Sequence, residues 1–295
     1  CRATKETMQK ADITADEIAG IGIDGQSWSA IPIDREGNVL ANTPIWMDTR
    51  AQSICDRLNQ EIGQEKIFEV AGNSLQPSYT TAKIIWYKEN LPEVYAKIHK
   101  ILQSNSYIAF KLTDAVTQDV SQGYGLHCFN MKKGCWDEKM CERLGIPMEF
   151  LPEICDCDHV VGTVTGKAAA ECGLVEGIPV VAGGLDAACG TLGAGVIHSG
   201  ETQEQGGQAG GMSICTEEYK ADPRLILSYH VVPGKWLLQG GTTGGGGVMR
   251  WFEREFADYE RMMKEQTGVS SLDQLNKIAE KVAPGCDGMV FLPYM

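Results

Sequence analysis

Apolar positions along the chain follow two different spacings. Short apolar runs bounded by glycine or polar turns predict buried strands at 18–23, 30–33, 178–182, 212–215, 228–232, 236–239 and 288–292. Apolar residues at three- and four-residue steps predict helices at 5–12, 48–63, 80–90, 92–101, 104–111, 137–144, 166–172, 187–194, 249–263 and 272–282. The mixture predicts an α/β protein.

The kind of predicted element changes near residues 198–200. Most predicted helices precede this point, whereas residues 200–240 are rich in short strands. A chain of 295 residues is longer than one average domain, so two lobes are expected. We predict a first lobe over 1–198 and a second over 199–295.

Composition narrows the range of partners. The net charge is −13 and no basic run occurs, which argues against a nucleic-acid partner. No apolar run is long enough to span a bilayer, so no membrane partner is expected. The 11 cysteines include no CxxC pair, which favours reduced thiols in a cytoplasmic protein over a metal site.

Residues 180–195 (VVAGGLDAACGTLGAG) hold the most informative candidate, Asp186. An apolar strand delivers this carboxylate to a glycine-rich turn, and a helix of small residues follows. Such a carboxylate is well placed at the mouth of a cleft. The alternative is that Asp186 only caps the helix.

Two glycine-rich segments could approach phosphate. Residues 204–213 (EQGGQAGGMS) lie between predicted strands, and a plain hairpin turn is the alternative there. Residues 239–251 (QGGTTGGGGVMRW) join a strand to a helix, whose free N–H groups can hold an anion. Met249 stands where a GxGxxG dinucleotide fingerprint needs glycine, and no GK[ST] of a Walker loop follows.

A further cluster occupies residues 44–50 (PIWMDTR). Trp46 could stack on the C–H face of a sugar, while Asp48 and Arg50 could bond its hydroxyls. A helix-start Asp beside a packed Trp is the alternative.

Taken in order, these pieces resemble the FGGY family of carbohydrate kinases, and xylulokinases more than glycerol kinases. The matching pieces are Gly25-Gln26, PIWMDTR, TTAKIIW at 80–86, TQDVSQGYG at 117–125, GGLDAACGTLGAG, the glycine hairpin, GGGGVMRWF and a final LPY. The resemblance covers essentially the whole chain. It implies a two-lobed, actin-like ATPase (ribonuclease H-like) fold with the active site in the cleft between the lobes. The first lobe, 1–198, would bind the sugar, and the second, 199–295, would bind ATP.

The resemblance also implies the chemistry. Asp186 would be the base that accepts the proton of the attacking sugar hydroxyl. The sugar would contact Gln26, Ser27, Trp28, Trp46 and Asp48. The phosphates of ATP, bridged by Mg²⁺, would lie near Gly206, Gly207, Gly246 and Arg250. A ketopentose such as xylulose is the expected substrate, and a homodimer is compatible with the family.

Several positions depart from the family pattern. Trp28 replaces a histidine, Ala187 replaces an amide residue, and Gly207-Gln208 replace hydroxyl residues. A non-catalytic sugar-binding or regulatory relative is therefore the alternative, and a nucleotide-binding oxidoreductase is a third reading. Both ends of the sequence read as cut, so we expect an internal segment whose activity belongs to the intact protein.

Overall fold

The computed structural model describes residues 1–242 and 244–292 of the chain, which divides into two compact units. The first unit comprises Cys1–Glu201 and Ile214–Leu238, and the second comprises Thr202–Ser213 and Gln239–Met295. The division into lobes over 1–198 and 199–295 stays a prediction. The assignment of the lobes to sugar and ATP stays a prediction.

The first unit is mainly helical. Its helices are α1 (Arg2–Ala11), α2 (Gln52–Leu58), α3 (Gln64–Ala71), α4 (Thr80–Asn90), α5 (Pro92–Tyr95), α6 (Ser104–Thr113), α7 (Val120–Gly123), α8 (Glu138–Leu144), α9 (Gly166–Cys172) and α10 (Asp186–Gly193). A π-helical segment, Asn59–Gly63, joins α2 to α3. Thr165 caps α9 by accepting the N–H of Ala168, and Gly173 ends it in the left-handed conformation.

Short strands connect these helices. They are β1 (Asp24–Gly25), β2 (Ile31–Ile33), β3 (Lys100–Leu102), β4 (Thr117–Asp119), β5 (Phe129–Asn130), β6 (Cys135–Trp136), β7 (Glu153–Cys155), β8 (Val160–Thr163), β9 (Pro179–Val181) and β10 (Gly184–Leu185). The pairs β1–β10 and β4–β7 are parallel. The pairs β2–β3, β5–β6 and β8–β9 are antiparallel.

The remaining strands form one four-stranded sheet of order β11-β12-β14-β13. They are β11 (Thr202–Gly206), β12 (Gly210–Thr216), β13 (Ile226–Tyr229) and β14 (Trp236–Thr242). The helices of the second unit are α11 (Gly246–Phe256), α12 (Asp258–Thr267) and α13 (Ser271–Ala279). No helix in the described part of the chain is long and apolar enough to cross a membrane.

The core of the first unit lies where the apolar faces of its helices meet. Ile54 and Leu58 of α2, Ile84 of α4 and Leu144 of α8 are buried in one cluster. A smaller cluster packs Val180 of β9 against the small residues of α9. Leu185 of β10 is buried in a third cluster, so apolar burial holds the strand that carries the candidate site.

Some predicted elements are wrong. Ile101 lies in β3 opposite Pro32 of β2, because strand pairing overrides the helical spacing predicted over 92–101. The long helix predicted at 249–263 is broken at Ala257, which has non-helical φ and ψ of −110° and 45°. Residues 288–292 do not form the predicted strand. Val290 is 79% exposed, so no burial of its side chain stabilises a strand there.

The prediction of reduced thiols is also wrong at one pair. Cys1 and Cys172 form a disulfide, whereas the other nine cysteines are free. The pair joins the start of α1 to the end of α9. The fold brings these two sulfurs together although they are far apart in the sequence, so their spacing did not predict the pair.

Candidate active site

Two neighbouring strands end at the same place in the first unit. In the parallel pair β1–β10, Asp24 lies opposite Gly184 and Gly25 opposite Leu185. Gln26 and Asp186 therefore each follow the carboxyl end of one of these strands. The strands can meet only because residue 183 is glycine: its φ is +72°, and a Cβ there would lie 1.9 Å from the carbonyl oxygen of Ile23.

Asp186 is the first residue of α10, and its side chain is exposed. Its Oδ1 accepts the N–H of Ala187 at 2.8 Å. The helix cap is Leu185, so the alternative that Asp186 is the capping residue does not hold. Nearby protein atoms displace part of the water around the carboxylate, and this loss of solvation raises the pKa of Asp186. The charge of Asp24 raises the pKa further, while the hydrogen bond from Ala187 lowers it. A carboxylate with a raised pKa is a better proton acceptor.

The loop after β1 carries three of the predicted sugar residues. Gln26 is exposed, and Ser27 and Trp28 are half-buried. Trp28 adopts a φ of +59°, which is unusual for a bulky residue, and its ring stacks on Tyr79 with 4.2 Å between centroids. The ring of Tyr124 meets Trp28 edge-on at 5.9 Å.

Tyr124 is buried beside this loop. Burial raises the pKa of Tyr124, and the charge of Asp186 raises it further. The charge of Asp186 therefore acts on Tyr124, whose ring contacts Trp28. That Ser27, Trp28 and Asp186 act at one site stays a prediction.

Asp48 lies on the segment before α2 and is held by Arg50. Its Oδ2 lies 2.7 Å from Nη2 of Arg50, and Nε of Arg50 donates to both carboxylate oxygens at 2.9 Å. This hydrogen bonding lowers the pKa of Asp48. The Arg50 guanidinium also lies over the ring of Trp86 at 4.9 Å, and Trp46 is half-buried on the same segment.

Lys83 joins this segment to the Trp28 loop, and the sequence reasoning missed it. Its side chain is 1% exposed, and Nζ donates to the carbonyl oxygens of Trp28 at 2.8 Å and Ile45 at 3.0 Å. Burial lowers the pKa of Lys83 to about 8. The signal was a lysine between apolar residues in α4 (TTAKIIW), where a cation needs buried partners.

Asp119 was also missed. It is 1% exposed, ends β4 and caps α7 through the N–H of Gln122 at 2.9 Å. The sequence signal was the Asp-x-x-Gln pattern at a strand end within TQDVSQGYG, which is typical of a helix cap.

The second unit holds the four residues predicted near ATP. Gly206 ends β11, Gly207 begins the turn to β12, Gly246 begins α11, and Arg250 lies one turn later with its side chain exposed. The N–H of Gly246 donates to the Gly207 carbonyl at 2.8 Å, so three of the four predicted positions meet at one loop.

The fit of this loop to a polyphosphate is partial. The Gly245 and Gly246 N–H groups already donate to carbonyls of the hairpin turn, so the start of α11 is not the open anion cradle that the sequence predicted. A Cβ at Gly246 would lie 2.7 Å from the Gly207 oxygen, which explains the glycine by close packing. A Cβ at Gly206 or Gly207 would meet nothing within 4 Å, so this side of the turn has room for phosphate.

Metal ligands are not clustered. Within residues 1–242 and 244–292, no group of three or more His, Cys, Asp or Glu side chains could hold a metal ion. The Pro293-Tyr294 part of the LPY motif lies outside the described residues.

Known proteins resemble this chain along its whole length. A xylulose kinase of Bacillus subtilis is 28% identical over 295 residues, covering 99% of this chain and 57% of that protein. A gluconokinase of Bacillus licheniformis is 28% identical over 268 residues, covering 90% of this chain and 52% of that protein. The chain thus spans little more than half the length of these relatives.

The fold has solved counterparts. The crystal structure of xylulose kinase from Rhodospirillum rubrum superposes with a TM-score of 0.82 at 28% identity, over 94% of this chain and 55% of that one. The predicted actin-like α/β fold is confirmed. The sequence model for the N-terminal domain of the FGGY family of carbohydrate kinases matches residues 1–193. The chain belongs to the FGGY family of carbohydrate kinases.

Proposed function

We propose that the whole protein transfers the terminal phosphate of ATP to a hydroxyl of a small sugar or polyol. The observation that carries this proposal is the placement of Asp186. Its exposed carboxylate follows the end of β10, beside the end of β1 that presents Gln26, within the region that matches the FGGY family. Carboxylates at the carboxyl ends of parallel strands are well placed to meet a ligand.

Asp186 acts as the base in this proposal. The sugar hydroxyl gives its proton to the Asp186 carboxylate while its oxygen forms a bond to the γ-phosphorus. The bond between that phosphorus and the β–γ bridging oxygen breaks, and ADP leaves. Phosphoryl transfer depends mainly on positioning and charge stabilisation, so an oriented carboxylate is enough. Magnesium, bound with ATP, neutralises phosphate charge.

The sugar lies against the loop at 26–28 and the segment at 46–48. Gln26 and Ser27 offer polar groups, and Trp28 with Trp46 offers apolar faces for the C–H surface of the ring. Asp48 accepts hydroxyl donors with lone pairs that Arg50 leaves open. Gly206, Gly207, Gly246 and Arg250 lie near the phosphates, with backbone approach at the hairpin turn.

A ketopentose such as xylulose is the substrate we favour, because several relatives are named xylulose kinases. An aldonate such as gluconate is the second candidate, because other relatives are named gluconokinases. We further propose that the protein works in the cytoplasm. A homodimer stays a prediction.

A panel assay tests the proposal. The whole protein is given Mg-ATP with ketopentoses, polyols and aldonates, and ADP release is measured beside Asp186→Ala and Glu171→Ala. Glu171→Ala is the control, because this carboxylate is exposed on α9. We expect turnover on one sugar that Asp186→Ala abolishes and Glu171→Ala keeps.

Two other outcomes would contradict the proposal. ADP release that persists in Asp186→Ala would show that Asp186 is not the base. Sugar binding without any ADP release would favour the non-catalytic regulatory relative, which Ala187 and the Gly207-Gln208 turn make the main competitor.

A further inference from the structure

Asp119 is a buried carboxylate surrounded by neutral donors. Its Oδ1 accepts the Ser121 hydroxyl at 2.5 Å and the Gln122 N–H at 2.9 Å. Its Oδ2 accepts Nδ2 of Asn105 at 2.8 Å and Nε2 of Gln118 at 3.2 Å. A buried carboxylate is costly unless its oxygens are satisfied. These four hydrogen bonds, with the Cys157 thiol 3.8 Å from Oδ1 as a fifth donor, meet that need.

One arm of this network reaches the strand that presents Asp186. A carboxylate can only accept, so the Ser121 hydroxyl must give its hydrogen to Asp119. Its lone pair is then free to accept the N–H of Leu185, which lies 2.9 Å away. Leu185 is the last residue of β10 and directly precedes Asp186. The orientation of the hydroxyl, and so the bond to β10, depends on the charge state and acceptor geometry of Asp119.

The other arm reaches the strand that presents Gln26. Asp119 holds the backbone N–H of Gln122, whose side-chain Nε2 donates to the carbonyls of Gly25 at 3.0 Å and Gln26 at 3.1 Å. Asn105 adds a bond to the Ala182 carbonyl at 3.1 Å, just before β10.

Glycines allow these close approaches. A Cβ at Gly184 would lie 2.9 Å from the Ser121 hydroxyl oxygen, and a Cβ at Gly25 would lie 2.5 Å from the backbone nitrogen of Asn105. Gly184 therefore lies where the network meets β10, and Gly25 packs against the start of α6. A side chain at either position would push the strand end away from the buried polar groups.

We propose that Asp119 is a positioning residue, which through Ser121 fixes the strand end that presents Asp186 and through Gln122 fixes the loop that presents Gln26. The kinetic consequences rest on the proposed kinase function. They are separable, because the Ser121 arm ends beside the base and the Gln122 arm ends at the sugar loop.

The kinetic test uses Ser121→Ala, Gln122→Ala and Asp119→Asn in the whole protein. We expect Ser121→Ala to lower kcat by about 10- to 100-fold with the sugar Kd within about twofold, because small displacements of a reacting group are that costly. We expect Gln122→Ala to weaken sugar binding by about tenfold with kcat within about threefold. Asp119→Asn, which puts an amide donor among donors, should show both losses.

Asn73→Ala is the matched control. Asn73 is fully buried and bonds the carbonyls of Ala71 and Leu227 and the N–H of Leu227, apart from the two strand ends. It should lower the melting temperature without splitting kcat from sugar Kd. Equal losses of kcat and affinity in Ser121→Ala and Gln122→Ala, or losses that follow melting temperature as in Asn73→Ala, would overturn the proposal.

Amide hydrogen exchange tests, without any measurement of catalysis, whether the network holds the end of β10. We expect exchange at the Leu185 N–H to become at least about tenfold faster in Ser121→Ala and Asp119→Asn, because local opening no longer breaks a bond there. Asn73→Ala should leave it unchanged. Unchanged exchange in Ser121→Ala would refute the positioning role. If the wild type phosphorylates no sugar, the proposed function fails, while exchange still tests the network.

Discussion

Lys83 gives the sharpest test of the buried contacts around the loop at 26–28. Its pKa falls from the ordinary 10.5 to about 8 because burial disfavours the ammonium form. The charge of Asp48 opposes this shift and that of Arg50 adds to it. At about 1.4 kcal/mol per pKa unit, the fold disfavours the charged form by roughly 3 kcal/mol.

The sign of the pH dependence follows from proton counts. Between about pH 8 and pH 10.5 the unfolded chain keeps the Lys83 proton and the folded chain has lost it. Raising the pH therefore increases the free energy of unfolding. This gain in stability is lost as the pH falls through the pKa of Lys83 in the folded state. Relative to Lys83→Met, the wild type should gain roughly 2 kcal/mol of unfolding free energy between about pH 7 and about pH 9.5.

Urea unfolding of both proteins across this pH range measures the difference. Lys88→Met is the control, because Lys88 is exposed on the same helix, α4. It measures what replacing a lysine of α4 by methionine costs without the buried contacts of Lys83. A pH-independent difference for Lys83→Met would refute the account of a buried, titrating lysine. At every pH, Lys83→Met should also lose unfolding free energy because the carbonyls of Trp28 and Ile45 lose their donor, at about 1–3 kcal/mol each.

Three further predictions concern the base, the glycine turn and a buried amide. Asp24→Asn removes a negative charge that raises the pKa of Asp186, so the acidic limb of the kcat/KM profile should move to lower pH; an unmoved limb would contradict this coupling. Gly246→Ala should destabilise the protein by about 1–3 kcal/mol, because its Cβ meets the Gly207 oxygen, whereas Gly207→Ala should cost less than about 0.5 kcal/mol. Thermal melting measures both, and equal losses would argue against the packing explanation. Asn73→Ala should cost roughly 2–4 kcal/mol in urea unfolding, because it leaves buried backbone groups of residues 71 and 227 unpaired; a loss under about 0.5 kcal/mol would contradict those bonds.

Elements with strong local signals were predictable from sequence. The bounds predicted for α4 and α9 match the structure, because apolar spacing marks both helices and Thr165 and Gly173 mark the ends of α9. The position of Asp186 after a buried strand was also predictable, since an apolar run leads into Gly183 and Gly184.

Contacts between distant parts of the chain were not predictable. Lys83 bonds the carbonyl of Trp28, 55 residues away, and Ser121 bonds the N–H of Leu185, 64 residues away. No local pattern specifies such partners. The strand at Ile101 likewise depends on pairing with β2, and the helix start at Gly246 depends on how the hairpin turn packs against it.

The central claim is that Asp186 is the base of a sugar kinase. The most direct test is the whole protein with Asp186→Asn, which keeps the shape of the side chain and removes its ability to accept the proton. Sugar affinity is measured by tryptophan fluorescence and kcat by ADP release. We predict sugar Kd within about threefold of the wild type and a loss in kcat of about 10²–10⁴-fold, the usual contribution of general base catalysis. Retention of most of kcat would contradict the account.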